Sequence, residues 1–105
     1  MPLPPTLTAE QRQAALLKAA EARRVRAELK EKLKMGSITL AELFEQAGTD
    51  EIVGKMKTVS VLESLPGVGK VKARRTMEEI GISDSRRLRG LGEQQRAALL
   101  RSFPS

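Results

Sequence analysis

The feature that most restricts the fold is a run of 28 residues, Thr8 to Met35, that contains neither glycine nor proline and is followed at once by Gly36. Without those two residue types nothing in the run forces the backbone out of a helix. Thr8-Ala9-Glu10-Gln11 opens it as a capping box: the Thr8 hydroxyl accepts from the Gln11 amide while the Gln11 side chain returns to the Thr8 amide. Gly36 supplies the C-terminal stop. A long basic helix is predicted over residues 8–35, behind a flexible N-terminus at residues 1–7. Its apolar positions Ala15, Ala19, Ala22, Val25, Leu29 and Leu33 step by threes and fours onto one stripe. The stripe is alanine in the first half and larger only from Val25, so the N-terminal half should project and the C-terminal half should pack.

In a chain of 105 residues this leaves room for one compact domain beside the arm. A second capping box and several glycines divide that remainder, residues 36–105. Thr39-Leu40-Ala41-Glu42 opens a short helix that ends at Gly48, Asp50 caps a further turn that Gly54 ends, and Thr58 reads as the cap of a helix reaching Leu65. Phe44 and Phe103 are the only aromatic residues, and no segment alternates with period two. The expected fold is all-α, a long N-terminal helix plus a compact helix-hairpin-helix or helix-two-turns-helix core over about residues 58–103, with no sheet.

Cysteine and histidine are both absent. That removes disulfides, thiolate nucleophiles, the usual zinc ligand sets and the commonest general base together, so no metal site is expected and catalysis would have to rest on carboxylates, Lys, Ser or the amino terminus; no catalytic residue is assigned. No apolar run approaches the ~18 to 20 residues of a membrane span, and the start lacks the apolar stretch of a signal peptide, which points to the cytoplasm.

Charge is unevenly placed along a chain of net +6. Residues 1–35 hold eight basic against four acidic groups, a net of +4; residues 36–66 hold two against five, a net of −3; residues 67–105 hold nine against four, a net of +5. Two basic ends flank an acidic middle. On the first helix Arg23, Arg26, Lys30 and Lys34 recur at helical spacing and are expected to have no compensating acids on their face, as a phosphate-contacting arm would require.

The stretch from Val61 to Arg75 carries the chemistry. A helix ends, Pro66-Gly67-Val68-Gly69 turns, and another helix starts near Gly69. Gly67 and Gly69 allow positive φ or a close backbone approach, and Val68 between them can plug the groove between the two helices. The unpaired amides of the new helix would then face solvent at the positive end of its dipole, an anion site. Lys70 and Lys72 would add charge there. A P-loop is excluded by spacing, since Val71 follows Lys70 where that loop needs Ser or Thr. Downstream, Arg86, Arg87 and Arg89 surround Leu88 between a Ser83–Asp84 turn and Gly90, a short cationic ridge suited to phosphates and a narrowed minor groove.

Residues 54–92, and the Ala/Arg-rich first helix with them, resemble the actinobacterial integration host factor family. What the resemblance implies is a nucleoid-associated protein, monomeric in solution, that binds double-stranded DNA with little sequence preference, affects its shape and topology, and supports phage integration. It implies backbone binding by Gly67, Val68, Gly69 and Lys70, arginine insertion or phosphate contact by Arg86, Arg87 and Arg89, and a second basic face on the first helix. No cofactor, membrane or small-molecule partner is implied. Residues 66–100 are also similar to the helix-two-turns-helix segment of the small-subunit ribosomal protein that contacts the head of that subunit, so RNA binding is the runner-up. The formamidopyrimidine glycosylases share the module and use an N-terminal proline, but Leu3 stands where they carry a glutamate after Pro2, and their zinc finger has no counterpart.

Overall fold

A computed structural model describes residues 8–103; the segment 1–7, expected to be flexible, and Pro2 with it lie outside the described residues. Helix α1 (Ala9–Met35) starts as its sequence dictates. The Gln11 amide donates to Thr8 Oγ1 at 3.1 Å and the Thr8 amide donates to Gln11 Oε1 at 3.0 Å. Residues 8–21 are exposed, Ala22 and Val25 are half-buried, and Leu29 and Leu33 are buried. The larger apolar side chains thus enter the core where the stripe widens, and the alanine half stands out from the rest of a molecule whose overall extents, arm included, are 52 × 32 × 25 Å.

The remaining elements wrap the buried end of α1. They are α2 (Leu40–Ala47), α3 (Glu51–Gly54), α4 (Thr58–Glu63), α5 (Gly69–Ile80), a 3-10 turn Leu88–Gly90, and α6 (Glu93–Ser102). Thr39 and Glu42 close the second capping box, and Asp50 Oδ1 accepts from the Ile52 and Val53 amides, so α2 and α3 also begin where expected. Leu33, Leu40, Leu43, Leu62, Met77 and Leu99 are each at most 1% exposed and form one core drawn from five helices. Gly54 lets that core close: a Cβ there would lie 2.9 Å from the Ala47 carbonyl oxygen and 3.3 Å from Arg89 Cβ.

The start of α4 departs from expectation. Thr58 is not a cap; Lys57 holds the N-cap position without a side-chain hydrogen bond, and Thr58 is the first helical residue. Its amide donates instead to the Arg86 carbonyl at 3.0 Å, while the Leu88 amide donates to the Met56 carbonyl at 3.0 Å. These two bonds set Lys57 and Arg87 opposite each other as an isolated antiparallel bridge. A contact across 30 residues of chain therefore outweighs the local capping preference of threonine, and leaves the fully buried Thr58 Oγ1 without a partner. Helix α4 also ends at Glu63 rather than Leu65, because the Leu65 amide tightens onto the Leu62 carbonyl to begin the hairpin. No strand occurs among the described residues, and no described helix is long and apolar enough to cross a membrane.

Candidate nucleic-acid interface

The hairpin between α4 and α5 has the backbone its glycines permit. Gly67 sits at φ 74° and Gly69 at φ 70°, in the left-handed region that side chains disfavour, and a Cβ on either would meet nothing within 4 Å. The glycines therefore serve the turn itself and leave open space in front of it. The Val68 amide closes the turn onto the Leu65 carbonyl at 3.2 Å, and its half-buried side chain packs on the core between the two helices. Unlike α1, α2 and α3, α5 receives no side-chain cap. Its first amides and the positive end of its dipole face outward beside exposed Gly69 and Lys70.

The last two turns of α1 wall the space in front of the hairpin. An open groove of about 950 Å³ is lined on one side by Pro66, Gly67, Gly69 and Lys70 and on the other by Lys30 and Lys34. This brings together two features that stand more than 30 residues apart in sequence. One expectation fails here: Glu31 and Glu63 line the same groove, so the basic face is not free of acids. Position 31 follows Lys30 directly, and Glu63 arrives from α4, which only the tertiary fold brings alongside.

A second, smaller cleft adjoins the first through Lys30 and Ser60. Its lining is Arg26, Lys30, Lys55, Met56, Lys57, Ser60 and Arg87, in a volume of about 330 Å³, with no acid among those residues. Lys55 Nζ is paired with Glu51 at 2.8 Å, and that ammonium, as hydrogen-bond donor and as charge, holds the Glu51 carboxyl below its ordinary range, with Arg89 and Lys18 adding to the effect. Arg26, Lys30, Lys57 and Arg87 make no ion pair among the described residues. Two acids of α1 are engaged elsewhere, Arg24 pairing with Glu21 at 3.7 Å and Glu28 at 2.9 Å. Lys55 and Lys57 escaped sequence reasoning because they belong to the net-acidic middle of the chain; only the bridge to Arg87 reveals where they go.

The three arginines fan apart around buried Leu88. Arg87 turns into the second cleft, where its Nη1 donates to the Lys55 carbonyl. Arg86 folds back, its Nη1 donating to the Gly90 carbonyl at 3.2 Å. Arg89 lines a separate cleft with Arg96, Asp50 and Glu51. The ridge is thus three differently aimed guanidinium groups. Arg23 extends the α1 stripe one turn past the clefts and is exposed. Lys72 leaves the hairpin groove: its Nζ sits 6.0 Å from the centroid of the Phe103 ring, beside a cavity backed by Leu33, Leu65 and Val68. Two residues along a helix amount to about 200°, which turns Lys72 away from Lys70.

Comparison with known proteins agrees with this architecture. Residues 33–103 match the family model of the S13-like H2TH domain. The chain is similar to the integration host factor of Mycolicibacterium smegmatis, 59% identical over 99 residues that cover 94% of each protein. It is similar to that of Streptomyces coelicolor, 57% identical over 105 residues that cover 100% of this chain and 97% of the other. A solved structure of sIHF bound to an 8 bp palindromic DNA matches with a TM-score of 0.80 at 55% identity, covering 82% of this chain and 97% of that one. Kinship over nearly the whole length, together with the helix-two-turns-helix domain, shows that the chain belongs to the actinobacterial integration host factor family.

Proposed function

We propose that the chain is a nucleoid-associated protein that binds double-stranded DNA with little regard to sequence, alters the shape or topology of the duplex, and supports phage integration. One observation carries this reading: the uncapped N-terminus of α5, opened by two positive-φ glycines, faces a groove walled by Lys30, Lys34 and Lys70. Main-chain amides at a helix start suit a backbone phosphate, and the flanking ammonium groups supply charge without reading bases. The solved relative bound to a short duplex supports the same partner. The hairpin residues Pro66, Gly67, Val68, Gly69 and Lys70 contact the sugar-phosphate backbone, and Arg87 of the arginine turn approaches phosphates or the minor groove. The role is architectural and needs no cofactor or small-molecule substrate. The site of action is the nucleoid, with the protein acting as a monomer.

Gel retardation at several salt concentrations, with duplex DNA, single strands and structured RNA side by side, tests this reading. If about six phosphates are engaged, log K against log salt for duplex falls with a slope of roughly −5. A slope near zero excludes an electrostatic grip. Preference for the RNA would favour the ribosomal type of role, which the near-full-length kinship to integration host factors does not favour.

A further inference from the structure

The bridge between Lys57 and Arg87 is an unfavourable arrangement in the protein alone. Like charges directly opposite each other in an antiparallel pair are destabilising, because their side chains leave the backbone close together on one side. Here the pair is fixed by the hydrogen bonds from the Thr58 and Leu88 amides, and Arg26 and Lys30 of α1 converge on the same cleft. Four cations from three parts of the chain meet with no ion pair among the described residues. The arrangement is also pre-oriented. One Arg87 Nη1–H is spent on the Lys55 carbonyl, which aims the guanidinium while most of its donors stay available. Half-buried Ser60, in the first turn of α4, contributes a hydroxyl that makes no hydrogen bond among the described residues.

We propose that Lys57, Arg26, Lys30 and Arg87, with Ser60, form a preassembled seat for a backbone phosphate of duplex DNA, distinct from the hairpin amides, and that Lys57 is a direct phosphate contact. The inference rests on the duplex-binding reading above and adds Lys57 and Ser60 to the residues that touch the nucleic acid. The phosphate removes the repulsion that the fold builds in, so the same residue lowers stability in the free protein and raises affinity in the complex.

That opposition of signs gives the test. Full-length Lys57→Gln should melt at a higher temperature than the wild type at low salt. It should bind a duplex about 5 to 10 times more weakly at 0.1 M salt, with a slope of log K against log salt less steep by about 0.9, the loss of one phosphate contact. Lys32→Gln removes the same charge from an exposed position of α1 outside both clefts and should change affinity by less than about twofold. A Lys57→Gln variant that binds like Lys32→Gln, or loses affinity with the slope unchanged, overturns the seat while leaving the duplex reading intact. A wild type that does not retard duplex at any salt concentration overturns both.

Discussion

At the scale of single residues, Thr58 shows what a long-range hydrogen bond can override. A threonine before Val59 is a reasonable cap, but its amide is committed to Arg86 and its hydroxyl is sealed in the core without a partner. An unsatisfied buried hydroxyl costs about 1 to 3 kcal/mol. Thr58→Val keeps the shape and removes the polar atom, so denaturant unfolding should show a stability gain of about 1 kcal/mol. Loss of stability instead would mean that the hydroxyl is satisfied in solution. Glu51 yields a prediction of pH dependence. Its carboxyl is held down by Lys55, so the pair stabilises the fold above the ordinary carboxylate pKa, and the contribution is lost as pH falls through the lowered value in the folded protein. The group is fully exposed and screened by salt, so the effect is small. It should appear as a slight acid-side fall in melting temperature that Glu51→Gln abolishes.

At the scale of elements, α1 is two helices in one. The buried half carries Leu29 and Leu33; the outer half carries Leu16 and Leu17 at 59% and 63% exposure. Leu33→Ala should destabilise the protein by about 2 to 5 kcal/mol, whereas Leu16→Ala or Leu17→Ala should stay within about 0.5 kcal/mol, both by denaturant melts. This division was legible beforehand, since alanine gives way to valine and leucine along one stripe. So were the starts of α1, α2 and α3, because a side-chain cap involves partners only two or three residues apart. The hairpin was legible for the same local reason, as glycine spacing limits the turn. What could not be read were the facts that cross the chain: Glu31 and Glu63 entering the groove, Lys57 meeting Arg87, Lys72 turning onto Phe103. Each depends on how helices are rotated against one another, which periodicity along one segment does not encode.

At the scale of the whole molecule, charge is organised by the fold rather than by sequence blocks. Basic residues of the arm, the hairpin and the arginine turn meet in two adjoining clefts, while Arg89 and Arg96 face Asp50 and Glu51 on another side. The three arginines therefore should not behave alike. Arg87→Ala should weaken duplex binding and make its salt slope shallower by roughly one unit. Arg89→Ala should do less to the slope, because that side chain already has carboxylates nearby. Equal effects on titration with a single duplex would show that the fan closes up when the complex forms.

Helix α4 has one further consequence. It is six residues long, bolted at its first turn to the arginine segment and running at its other end into the hairpin. At 1.5 Å per residue it holds the arginine segment and the hairpin about 9 Å apart along its axis. It works as the fixed jaw spacing of a calliper, setting the separation at which a duplex touching both ends would have to present its phosphates.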